Sequence, residues 1–285
     1  MSQYRGPLLI LLASLFFSTT GTAQALAPEG ATPLVIGAVR LWLGCLFVLI
    51  WCFFTKKLPS PRSWPLGRTV ISALGILGYQ MTFFGAVAST GVAVGTVVTC
   101  GSAPISAGLL AFLVLKEKPQ RIWYVATVIA IIGLCLLSFS GDVKANPLGL
   151  ILAVCASSSY AVYITFSKTL TREHEPETVI AVLFGIGAIL IAPVFFIFPT
   201  DWIFTAKGVL VCIHLGLVTT AAGYVTYLMG LKSTQVSTAA TINLSESLMA
   251  ACWGIFLLHE MLTPVHIAGM LLLMLGTGVL TLKPR

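Results

Sequence analysis

The sequence predicts an all-α membrane protein: ten transmembrane helices in two inverted five-helix repeats, with both termini cytoplasmic. Three observations carry that expectation. The chain is 58% hydrophobic and only 9% charged, with a mean hydropathy of +1.00, whereas a soluble domain carries about 25% charged residues. Ten apolar runs divide it, most of them near the ~20 residues a helix needs to cross a bilayer. Its two halves also match under a single shift of 143 residues.

The runs cover, in order, about 6–26, 34–54, 66–88, 92–115, 122–139, 147–170, 177–198, 207–231, 236–258 and 264–282. The first follows Arg5 and has the look of a secretory signal, because Ala23-Gln24-Ala25 resembles a cleavage site. Its counterpart in the second half argues that it is kept as a span. Ala27-Pro28-Glu29-Gly30 closes it, and Leu58-Pro59-Ser60-Pro61 separates the second run from the third. Ser89-Thr90-Gly91 is the only break before the fourth. Lys118-Pro119 precedes the fifth and Asn146-Pro147 opens the sixth. All seven cysteines lie inside apolar runs without CxxC spacing, so they read as small buried hydrophobes rather than disulfides or metal ligands.

A net charge of +7 invites a nucleic-acid partner, but the positions of the charges give another account. With a cytoplasmic N-terminus, thirteen of the sixteen Lys and Arg fall in cytoplasmic segments. Only Lys144 and Lys207 fall opposite, and Arg40 lies inside the second span. That asymmetry sets the orientation and leaves no excess charge for nucleic acid to explain.

The 143-residue shift pairs Gly6 with Gly149, Ala13-Ser14 with Ala156-Ser157, Pro33 with Pro176, Glu117 with Glu260, and Gly133 with Gly276. The two units are therefore 6–139 and 147–282, and the third and eighth spans align least well. Five spans per unit is an odd number, so the second copy enters the membrane inverted. Many secondary transporters are built this way, with the substrate site near the midplane between repeats.

Span four ends Ala103-Pro104-Ile105…Leu115-Lys116-Glu117, and span nine reads Glu246-Ser247-Leu248…Leu258-His259-Glu260. Together with Gly133 and Gly276, these motifs resemble the EamA-type members of the drug/metabolite transporter superfamily, over essentially the whole chain. The resemblance implies export of amino acids or other small metabolites. Ser247 stands where that family usually has Pro, so the bend expected there would be missing. Lys116 and His259 stand where Gly is usual.

Glu246 is the candidate at the centre. It lies ten residues into an apolar run, where a charge costs at least ~2.5 kcal/mol and usually faces a cavity or a partner. It is suited to receive a substrate ammonium group or to carry a proton; a protonated, hydrogen-bonded structural role is the competing reading. Asn243 is one turn away on the same face. Tyr160 with Tyr163, and Tyr224 with Tyr227, are pairs at helical spacing. We expect the first pair to line a cavity and Tyr227 to sit at the membrane interface. Tyr79 lies mid-membrane, and Thr99, Ser102 and Ser106 form a small polar stripe that either walls the pocket or lets helices pack closely. Arg40, within reach of snorkelling to the interface, is read as an anchor or structural residue, with substrate contact as the alternative. His214 is a proton-relay candidate or a satisfied polar group. Glu117 and Glu260 suit ion pairing at helix ends. Trp42, Trp51, Trp64, Trp123 and Trp202 read as interface anchors, and Trp253 as deeper.

The function expected is a secondary transporter exporting amino acids or related amines across a bacterial plasma membrane. Channel-like facilitation and drug efflux are the alternatives. HExxH, GxSxG, Walker A and paired midplane aspartates are absent from the sequence, which argues against a membrane-embedded enzyme. No cofactor or metal is called for. The expected partners are lipid, a small-molecule substrate, protons as a coupling ion, and a second copy of the chain as a homodimer.

Overall fold

The computed structural model describes residues 2–59, 64–138, 146–258 and 263–282, and the described residues are almost entirely helical. The helices are α1 (Ser2–Ala25), α2 (Pro33–Phe54), α3 (Leu66–Thr90), α4 (Val92–Leu115), α5 (Arg121–Leu137), α6 (Pro147–Leu170), α7 (Pro176–Ile191), α8 (Val194–Ile197), α9 (Ala206–His214), α10 (Gly223–Leu231), α11 (Val236–Asn243), α12 (Ser245–Leu258) and α13 (Pro264–Leu282). A π-helical segment, Leu215–Ala222, joins α9 to α10 without a break. Among the described residues, nine spans are long and apolar enough to cross a membrane, and Arg121–Leu137 is a shorter apolar helix.

Local chemistry sets the helix ends. Pro33, Pro147, Pro176 and Pro264 stand at helix starts, where the missing N–H costs nothing and φ is already helical. Thr32 and Asn146 cap two of these starts by accepting from Val35 N (3.4 Å) and Leu148 N (3.0 Å). Gly91, at φ +83°, makes the tight break between α3 and α4. Lys116 ends α4 in the left-handed region at φ +58°. Glycine is favoured in that geometry.

The outer surface is apolar: Leu8, Leu46, Leu109, Ile151 and Leu210 are all exposed. In a membrane these side chains meet lipid, while backbone polar groups are satisfied within the helices. Cys135 and Cys155 also face outward, correcting the expectation that every cysteine is buried; Cys45, Cys52 and Cys212 are buried, and all seven are free thiols.

Each helix of the first half has its main neighbours in the second. α1 packs on α10 and α12, α2 on α7, α3 on α6, α4 on α6 and α11, and α5 on α13. Helices α5 and α13 approach each other closely. A Cβ on Gly276 would lie 2.7 Å from Ala126 O, and one on Gly133 would lie 2.6 Å from Leu273 N, so these helices touch backbone to backbone.

The ion pairs among the described residues gather at one end of the bundle. Lys57 meets Glu177 at 2.8 Å, Arg68 meets Glu173 at 3.0 Å, Lys168 meets Glu117 at 2.6 Å and Lys232 meets Glu175 at 3.3 Å. The first three join one half of the chain to the other. Glu260 and Lys144 lie outside the described residues.

Candidate functional site

Span nine is broken where its polar residues lie. Helix α11 ends at Asn243, Leu244 is a turn, and α12 resumes at Ser245. Around the break the hydrogen bonds tighten to i→i+3 spacing: Leu244 N donates to Thr241 O and Ser247 N to Leu244 O, both at 3.1 Å. The span is thus interrupted although Ser247 replaces the expected Pro, and the Ser247 amide donates a bond that Pro would lack.

Glu246 opens the second segment. Its Oε2 accepts from Asn243 Nδ2 at 3.2 Å, and Asn243 Oδ1 accepts from Ser14 Oγ of α1 at 3.0 Å. This chain ties a partly exposed carboxylate of the second half to a buried serine of the first. The carboxylate's electrostatic neighbours are Arg40, Tyr79, Tyr224, Tyr227 and Cys100.

The tyrosines form one wall. Ring centroids are 5.5 Å apart for Tyr79 and Tyr160, 6.1 Å for Tyr160 and Tyr163, and 6.0 Å for Tyr163 and Tyr224. Phe17 and Phe184 each lie 4.8 Å from Tyr224. Tyr79, Tyr160 and Tyr224 are partly exposed, whereas Tyr163 is fully buried behind them. The wall rests on the α3–α6 contact, where Ser72 Oγ of α3 donates to Tyr163 O of α6 at 3.1 Å.

Among the described residues, the other candidates are not hydrogen-bonded to the carboxylate. Thr99 is buried, and its hydroxyl has no partner among the described residues. Ser102 bonds back to Val98 O at 2.6 Å within its own helix. Ser106 meets Ser157 of α6 at 2.9 Å, so it joins helices. His214 Nε2 pairs with Thr19 Oγ1 at 2.9 Å. Thr19 is five residues, ~7.5 Å of helix rise, beyond Ser14. Trp253 Nε1 donates to Ser18 Oγ at 2.9 Å on the same face of α1.

Several sequence expectations are corrected. Tyr227 is not interfacial; it is 1% exposed and faces Phe17. Trp123 and Trp202 are buried, and Trp123 Nε1 donates to Thr241 Oγ1 at 3.0 Å. Trp64 stacks on His174 with centroids 4.0 Å apart. Arg40 has a structural bond: its Nε donates to Thr220 Oγ1 at 3.4 Å in the π-helical segment, which packs on α2. The π segment was not foreseen either. Its only sequence trace is the poor alignment of span eight with span three, as expected when an extra residue is accommodated in a turn.

The EamA-like transporter family matches residues 4–139 and again 147–282. The chain belongs to the EamA-like transporter family. A Bacillus subtilis (strain 168) protein named "Uncharacterized transporter YwfM" is 41% identical over 280 residues, covering 98% of this chain and 94% of that protein. "Threonine/homoserine exporter RhtA" of Escherichia coli (strain K12) is 27% identical over 268 residues, covering 92% and 86% of the two chains. A solved structure described as "Crystal structure of protein" has the same fold, with a TM-score of 0.85 at 19% identity, covering 98% of this chain and 97% of that one. This EamA-like protein is accordingly a multi-pass membrane transporter, and its aromatic wall and broken span belong to a transport fold.

Proposed function

We propose that this transporter exports amino acids or related amines across the plasma membrane by alternating access, with Glu246 receiving the substrate ammonium group. The observation that carries this reading is the Glu246–Asn243–Ser14 chain at the break in span nine. A partly exposed carboxylate held by hydrogen bonds and walled by aromatic rings suits a small cation with an apolar side chain. The name of the relative RhtA, a threonine and homoserine exporter, favours amino acids over other metabolites.

Two inverted five-helix units, 6–139 and 147–282, rocking about this site would give the alternation. The helix pairing supports two equivalent units, because it survives exchange of the halves, and the odd number of spans in each supports their inversion. Span one packs on span eight as span three packs on span six, and spans two and five each pack on their own counterparts. The Lys and Arg distribution supports cytoplasmic termini. On that orientation the four ion pairs close the cytoplasmic end. Glu246 is also the group that would carry a coupling proton.

The test is counterflow into proteoliposomes with labelled amino acids and amines. Trans-stimulated uptake of at least one of them is expected, and exchange of none would end this reading. Glu246→Gln separates the proton role: full transport with an unchanged pH dependence would eliminate it.

A further inference from the structure

We infer that Arg40 is the carboxylate receptor of the substrate site, so that the site selects zwitterionic α-amino acids and rejects amines without a carboxylate. This inference rests on the transport reading above and narrows it.

A guanidinium has five N–H donors in a planar fork that matches a carboxylate with two parallel hydrogen bonds. Among the described residues, Arg40 uses one of them, Nε to Thr220 Oγ1, and forms no ion pair. Thr220 is itself oriented by the π segment. Its hydroxyl donates to Leu215 O at 2.7 Å, five residues back, which leaves its lone pairs for Arg40. The Nε bond orients the fork and, among the described residues, leaves both terminal NH2 groups without a protein partner.

The residue also lies inside the second span. Its neighbours Val39 and Leu41 are buried in the core, while Arg40 itself is partly exposed. A charge within a span normally finds a partner or a cavity. Its opposite is Glu246: the two charges act on each other and both act on Tyr79 and Tyr224, yet no ion pair joins them. A cation and an anion thus both lie within electrostatic range of the same two phenol rings. An α-amino acid complements that arrangement: ammonium toward Glu246, carboxylate toward Arg40, side chain against the rings. An amine leaves the Arg40 fork unmatched.

The experiment is competition in the counterflow assay. The labelled probe is the amino acid that exchanges fastest. The unlabelled competitors are that amino acid, its methyl ester and its decarboxylated amine. For the wild-type protein the ester and amine should compete about 10- to 100-fold more weakly, the worth of a charge-assisted hydrogen bond. Arg40→Gln should weaken the amino acid to the level of its ester and leave the ester unchanged, and Arg40→Lys should restore part of the difference. Equal competition by acid and ester in the wild-type protein overturns the inference with no variant needed, so it survives as a test even if Arg40→Gln does not fold. An unchanged acid-to-ester ratio in a folded Arg40→Gln protein also overturns it, while amino-acid exchange itself leaves the transport reading standing. Exchange of no amino acid at all refutes the transport reading and this inference together.

Discussion

Replacing Lys168 with methionine tests the cross-link that joins the two halves at the charged end of the bundle. The Lys168 ammonium lies 2.6 Å from Glu117 Oε1 and 2.6 Å from Thr234 O. Glu117 Oε2 in turn accepts from Val236 N at 2.9 Å, in the first turn of α11. The two side chains are only 10% and 17% exposed. Methionine keeps most of the stem and removes the charge. It strands the Glu117 carboxylate with one remaining donor and leaves Thr234 O without the ammonium. Breaking a buried pair from one side costs about 3–5 kcal/mol. The residual Val236 bond and the partial exposure place the expected loss at the lower limit, about 3 kcal/mol. Glu117→Gln should cost less, because the amide oxygen can still accept. The assay is a double-mutant cycle measured by SDS-induced unfolding in mixed micelles. A coupling energy above ~1 kcal/mol is expected for residues in one network. Additive single-mutant costs would refute the reasoning, since they would mean that the two groups do not depend on each other.

Lys116→Gly should raise stability by roughly 1 kcal/mol, because a left-handed residue with a Cβ costs ~1–2 kcal/mol; thermal unfolding in detergent checks this. Gly276→Ala should cost about 1–3 kcal/mol by forcing a methyl against backbone, and an unchanged melting temperature would contradict the α5–α13 contact. Lys57 has its pKa raised by the hydrogen bond from its ammonium to Glu177 and by that carboxylate's charge. A raised cation stabilises fully below the unfolded lysine value of ~10.4. The contribution is lost as pH rises through the folded value. Thermal scans from pH 8 to 11 should therefore diverge between wild type and Lys57→Met at low pH and converge at the alkaline end.

What was readable in the chain was what depends on runs of residues. Apolar length located the spans, and Pro, Asn and Gly set their ends, because these signals act within a few residues of where they stand. Glu246 and Asn243 were also legible, since a carboxylate in an apolar run and a neighbour one turn away need no tertiary knowledge. The bond from Arg40 to Thr220 was not, because its two residues lie 180 apart in sequence. The same holds for Tyr227, Trp123 and Trp202, which resemble interface aromatics in composition but are roofed by other spans. Ser14 left a trace as the partner of Ser157 under the repeat, but its bond to Asn243 spans 229 residues. The break at Leu244 was masked because the residue that usually marks it is absent.

The central claim is that this site carries an amino acid, held at Glu246. Its most direct measurement is counterflow of labelled amino acids by the purified protein in liposomes, comparing wild type with Glu246→Ala. The account predicts trans-stimulated uptake of at least one neutral amino acid by the wild type and its loss in the variant, with both proteins folded and inserted equally. Absence of uptake by the wild type, or undiminished uptake by Glu246→Ala, would contradict it.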